Sequence, residues 1–104
     1  MPQPSSSNQP LIVQESGGDG KWLFHCPGCG CGHWVRFDPA LQPCWTWNGD
    51  PVRPTISPSI LTSEETLDGQ VISRCHSYVE GGNIRFLSDC THALAGQTVP
   101  LEPI

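Results

Sequence analysis

VISRCHSYVEGGNIRFLSDC, residues 71–90, decides the fold. Two runs rich in β-branched and aromatic residues flank Gly81-Gly82, and a glycine pair in that setting signals a two-residue hairpin turn. With the glycines at the turn, Glu80 faces Asn83, Val79 faces Ile84, Ser77 faces Phe86 and Cys75 faces Ser88. Side chains alternate along a strand. One face then carries Cys75, Ser77, Val79, Ile84, Phe86 and Cys90; the other carries Arg74, His76, Tyr78, Arg85, Leu87 and Asp89. The first face is the more apolar and is expected to look inward. Cys75 and Cys90 lie diagonally on it, within reach of one ion, and His76 lies diagonal to Asp89 on the opposite face. A slip of one residue would exchange the two faces.

Upstream, CPGCGCGH (26–33) forms a Gly-rich loop between two expected strands, KWLFHC (21–26) and WVRF (34–37). Two residues between Cys26 and Cys29 let both sulfurs converge on one ion, and a glycine supplies the left-handed backbone such a knuckle needs. A thioredoxin-like redox pair would need a helix after the motif, and Gly30, Cys31 and Gly32 are poor helix formers. LIVQES (11–16) reads as a first strand, and CWTW (44–47) alternates before an NGDP turn. PVRPTISP (51–58) has three prolines, so it is expected to be an extended segment rather than a central strand, followed by SILT (59–62). SEETLDG (63–69) reads as a polar connection with a short helix capped by Ser63. The C-terminal stretch has room for one helical turn and a last extended piece.

Residues 1–10 are expected to form a disordered tail, and 11–104 a single zinc-binding, β-rich domain. The fold class is mainly β: a small zinc-stabilised antiparallel sheet, with a zinc-ribbon-like knuckle, a C-terminal β-hairpin and few or short helices. Eleven Gly and eleven Pro in 104 residues favour short strands and many turns. A chain of this length buries only about 60–65% of its unfolded surface, so a staple is needed beyond the core. Six cysteines could form disulfides, but the N-terminus MPQPSSSNQP has neither the basic nor the apolar part of a secretory leader. No apolar run is long enough for a membrane span. The expected setting is therefore cytosolic, where reduced cysteines serve metals.

Zn2+ is the expected cofactor, because six cysteines and four histidines are its preferred ligand mix. Cys26, Cys29, Cys75 and Cys90 are the expected shell of a closed structural site, with His33 and His76 as alternates. Cys31 and Cys44 are read as spare thiols. His33, His76, Asp89 and His92 are candidates for chemistry, since imidazoles oriented by a carboxylate make a general base or an open metal site. Thr55, Ser57 and Ser59 offer hydroxyls, but nothing in the sequence sets a base beside any of them, so a serine nucleophile is not expected. The four tryptophans read as core or as the lining of a groove. A formal charge of −5, made more negative by metal-bound thiolates, opposes contact with nucleic-acid phosphates.

FHCPGCGCGH, WTWNGDPVRPTISPSI and RCHSYVEGGNIRFLSDCTHALAGQTVPL, spanning about Trp22 to Leu101, resemble an uncharacterised family of small phage and prophage proteins often labelled "ammonia monooxygenase". That label conflicts with the lack of membrane spans. The chain is also distantly similar to a Cys/His family found beside bacterial ubiquitin-like conjugation genes, with a Cys-rich block, a Pro-Ser-Ile block and a Cys/His strand. The distant resemblance puts weight on Cys26, Cys29, Cys75 and His76. The expected function is a phage-encoded, non-enzymatic zinc module that binds a host or phage protein. A minor virion or assembly component and a small zinc-dependent hydrolase built around His33, His76 and His92 are the alternatives.

Overall fold

The computed structural model describes residues 9–17 and 19–103; most of the expected N-terminal tail lies outside them. Every regular element among the described residues is a strand. Strands β1 (Ile12–Gln14), β2 (Lys21–Cys26) and β3 (Cys31–Arg36) form a three-stranded antiparallel sheet in chain order. Strands β4 (Thr46–Trp47), β5 (Ile56–Glu65), β6 (Val71–Glu80), β7 (Asn83–Phe86) and β8 (Thr98–Pro100) form a five-stranded antiparallel sheet, also in chain order. No helix among these residues is long and apolar enough to cross a membrane.

The β6–β7 hairpin has the register read from the sequence: Glu80 pairs with Asn83, Val79 with Ile84 and Ser77 with Phe86. Gly81 and Gly82 have φ of +56° and +86°, and a type I′ turn requires positive φ at both central positions. The ladder stops at Phe86, so the expected Cys75–Ser88 pair does not form. Instead the chain turns at Leu87–Cys90, where the Cys90 N–H donates to Leu87 O at 3.2 Å. Thr91 then takes over as the partner of Arg74, through Thr91 N–H to Arg74 O at 2.9 Å and Arg74 N–H to Thr91 Oγ1 at 2.9 Å.

Alternation sends one side of each strand into a shared core. Leu11, Ile12, Phe24, Cys26 and Val35 from the first sheet region meet Ile56, Ile60, Cys75, Val79, Ile84 and Phe86 from the second in one buried cluster. Trp22, Trp45 and Trp47 pack at its margin, each partly covered, while Trp34 is exposed. Trp22 and Phe37 both lie against Trp47 with ring centroids 4.9 Å apart, and Trp34 meets Trp45 edge-on at 6.3 Å.

Three further expectations are corrected. First, the Pro-rich segment enters the ladder: β5 starts at Ile56 and carries Pro58 between neighbours β4 and β6. This is possible because the register with β6 jumps between Ile56 and Ile60. Those residues pair with Val79 and Ser77, which leaves Ser57, Pro58 and Ser59 facing only Tyr78. Pro58 sits in that bulge, where its missing N–H removes no ladder bond to β6. Second, Ser63 caps no helix; it lies in β5 and pairs with Arg74 of β6, and the connection is a turn from Thr66 to Gly69, with Gly69 at φ +88°. Third, residues 92–97 form turns, not a helical turn.

The core makes a direct test. Ile84 is fully buried, so Ile84→Ala should cost about 2–5 kcal/mol. Leu67 is fully exposed on the β5–β6 turn, so Leu67→Ala should stay within about 0.5 kcal/mol. Urea denaturation of the two variants checks the packing.

Candidate active site and metal centre

Two clusters of reactive side chains lie back to back on β6, set there by strand alternation. Cys75 points into the core and His76 to the other side.

On the inner side, Cys26 ends β2, Cys29 lies in the knuckle, His33 is on β3 and Cys75 on β6; their ligand atoms all lie within 4.8 Å of one another. The knuckle is held by Gly30 N–H donating to Cys26 O at 2.8 Å, with Gly30 at φ +70°, and by Cys29 N–H donating to Cys26 Sγ at 3.4 Å. All six thiols are free. Cys26 Sγ and Cys75 Sγ stand 3.9 Å apart, too far for a disulfide. The thiol of Cys26 is pulled down to about 3, chiefly by the S–H bond from Cys75, with His33 and the Cys29 N–H adding to it. Cys29 is pushed up to about 11, by burial and then by the Cys26 charge. Cys75 is also raised, first by holding its proton against Cys26 and then by burial. His33 Nε2 is buried without a hydrogen-bond partner among the described residues, while its ring packs edge-on against Phe24. An unpaired buried nitrogen beside three thiols fits a bound metal ion.

Cys90 lies outside that group. It joins Cys75 and His92 in a second set of ligand atoms within 4.8 Å. Its sulfur is engaged with His76, accepting the His76 N–H at 3.2 Å and donating to His76 O at 3.2 Å. The His92 ring packs edge-on against Phe86 and lies so close to Gly28 that a Cβ there would come within 2.4 Å of it. His92 Nδ1 accepts the Leu94 N–H at 3.2 Å, which leaves the proton of the neutral ring on Nε2. Nε2 is buried and unpaired, so His92 presents an N–H, not a lone pair, from that atom. Cys31 and Cys44 belong to neither group.

On the outer side of β6, His76 Nδ1 lies 3.2 Å from Asp89 Oδ2 and His76 Nε2 lies 3.0 Å from Ser59 Oγ. A hydroxyl, an imidazole and a carboxylate are thus in line, with the two ring nitrogens used in the order that acyl transfer needs. Leu61 pairs directly with His76, so Ser59, two residues earlier on β5, is diagonal to it. The bulge at 57–59 re-aims this residue, and the Trp45 indole N–H holds Ser59 O at 3.2 Å. The Leu87–Cys90 turn carries Asp89, and the Cys90 sulfur pins the backbone of His76 to it. His76 and Asp89 side chains are 26% and 42% exposed, so the line of groups opens to solvent.

The sequence therefore brought His76 and Asp89 to one face and missed their third member. Ser59 was legible only within the Pro-Ser-Ile block of the resemblance; its partner His76 comes from a strand whose register with β5 is set by the bulge. His33, His76 and His92 do not converge: His33 joins the thiols, His76 the hydroxyl and His92 packs on Gly28.

No curated protein and no solved structure matches the chain. The family model described as "Bacterial ubiquitination-like system serine protease (BubE)" matches residues 1–87, which include Ser59, His76 and the inner cluster, with Asp89 just beyond. With most of its length matched, the chain belongs to this family of a bacterial ubiquitination-like system.

Proposed function

We propose that this chain is a serine protease of that system, with Ser59 as nucleophile, His76 as general base and then acid, and Asp89 holding the imidazole. The observation that carries this reading is the Ser59 Oγ–His76 Nε2–Asp89 Oδ2 line. His76 Nε2 takes the Ser59 proton as Oγ bonds to the scissile carbonyl carbon. The proton then passes to the leaving amine as the C–N bond breaks. Water, deprotonated by the same nitrogen, releases the acyl group and restores Ser59. Asp89 fixes the tautomer with the Nδ1 proton and stabilises the imidazolium. We prefer this reading to the binding module expected from the sequence, because a module needs no aligned hydroxyl, base and carboxylate.

The inner cluster, in this reading, is a structural zinc site of Cys26, Cys29, His33 and Cys75. Zinc–thiolate bonds of about 2.3 Å in a tetrahedron put sulfurs about 3.8 Å apart, near the 3.9 Å between Cys26 and Cys75. Zinc would supply fold stability by tying the two sheets together and fixing Cys75, the neighbour of His76.

An alkyl fluorophosphonate should label one residue, Ser59, as read by peptide mass spectrometry. Ser59→Ala should abolish labelling and Ser57→Ala should leave it. Asp89→Asn should slow labelling by about 10³–10⁴-fold while zinc content and melting stay those of the parent. Labelling that persists in Ser59→Ala would sink the proposal.

Elemental analysis should find one zinc per chain. Structural zinc is worth about 10–16 kcal/mol of apparent binding energy in small domains, so a strong chelator should unfold the protein. His33→Ala and Cys29→Ser should lose zinc, and Cys44→Ser should keep it. Cys90→Ala should also keep zinc yet slow fluorophosphonate labelling, since it frees the His76 backbone. Zinc lost from Cys90→Ala and kept in His33→Ala would reverse the ligand assignment.

A further inference from the structure

Beside Ser59 the main chain of β5 has a free edge. On β6, His76 directs its N–H to Cys90 Sγ and its C=O to the Leu87 N–H, and Arg74 directs both groups to Thr91. Residues opposite one another in an antiparallel ladder alternate between bonded and non-bonded pairs. Leu61–His76 and Ser63–Arg74 are therefore non-bonded pairs, and the N–H and C=O of Leu61 and Ser63 point away from β6. On that side β4 pairs with β5 only at Ile56 and Ser57. Among the described residues nothing bonds the four exposed main-chain groups. Those of Leu61 border a cleft of about 290 Å³ between β5 and β3, lined by Gly32, His33, Trp34, Pro43, Trp45 and Leu61. Trp45 is also the residue that holds Ser59 O, so cleft and nucleophile share a wall.

We infer that this edge of β5 is the docking strand for the substrate: an extended polypeptide on the acyl side of the scissile bond pairs antiparallel with Ser63 and Leu61 and delivers its carbonyl to Ser59. The inference rests on Ser59 being the nucleophile. An unpaired strand edge is a template for another strand, and β-strand addition is a general mode of peptide capture. The direction follows β4, which is antiparallel to β5 and stops at Ser57, so an added strand continues its line. The residue facing Ser59 is the first on the acyl side; those facing Leu61 and Ser63 are the third and fifth, two apart as the ladder requires. Leu61 is 56% exposed and Trp34 37%, and an added strand would cover this apolar margin. It would also shield Ser59 from bulk water, which the open arrangement of His76 and Asp89 does not do alone. Recognition is thus by backbone, selecting a flexible tail or unfolded segment over a folded surface.

The test uses the whole protein with diphenyl phosphonates carrying one, three or five alanines, compared with a plain alkyl fluorophosphonate. The rate of Ser59 modification should rise about tenfold from one residue to three, the worth of one bonded pair, and again from three to five. N-methylating the amide of the third residue should cancel the first gain, and Ser63→Pro the second. Equal rates for the three lengths, or a gain that survives N-methylation, would overturn the docking strand while labelling by the alkyl fluorophosphonate left the nucleophile standing. No modification of Ser59 by any probe would overturn the protease reading, and the docking strand with it. Because the N-methyl probe acts on the unaltered protein, the result does not depend on how Ser63→Pro folds.

Discussion

The period-two alternation of β6 is the constraint on which both clusters depend. Cys75 and His76 are neighbours in the chain, yet strand geometry sends one inward to the thiols and the other outward to Ser59. Moving either cluster by one residue along the strand would exchange them and destroy both. The hairpin turn at Gly81-Gly82 and the core contacts of Val79, Ile84 and Phe86 hold that register. The cost of a slip is therefore the loss of the buried face as a whole. Rigidity at His76 and Asp89 is thus drawn from the hydrophobic core and from Cys90, without a dedicated scaffold.

The hairpin was legible because its signals are local: a glycine pair, two alternating runs and a difference in polarity between faces. The same reasoning put His76 with Asp89, and the CPGC knuckle needed only a spacing. Ser59 was not legible in this way. Its placement depends on a bulge that sets three residues of β5 against one of β6, and on pairing with the next strand across the Thr66–Gly69 turn. Pro58 argued against a strand, and the argument fails only because the bulge spares its missing N–H. Cys90 was given to the metal because its face is right, and its sulfur does lie with Cys75 and His92 in the second group of ligand atoms. The turn at Leu87–Cys90 ends the ladder early and brings its sulfur to the His76 backbone, while His33 stands on the facing sheet beside Cys26 and Cys75.

Division of labour between the faces also explains the composition. A core of about a dozen residues is shared between two small sheets, and few large apolar side chains are left to strengthen it. Cysteines are compact and fit such a core as hydrophobes, and three of them with His33 add a potential crosslink without demanding volume. The outer face can then spend its positions on Ser59, His76 and Asp89, with Trp45 bracing the bulge from the side.

The spacing of the inner cluster has a consequence for how the chain is made. Cys26, Cys29 and His33 lie within eight residues and emerge from the ribosome together, whereas Cys75 follows about forty residues later. An ion captured early would wait in a three-ligand knuckle until β6 is synthesised, so closure of the shell and pairing of β6 would be one event. His76 is the next residue out. Ser59, already translated, would meet His76 only when that closure occurs, so the nascent chain would lack the aligned hydroxyl, imidazole and carboxylate while its own segments are still unfolded.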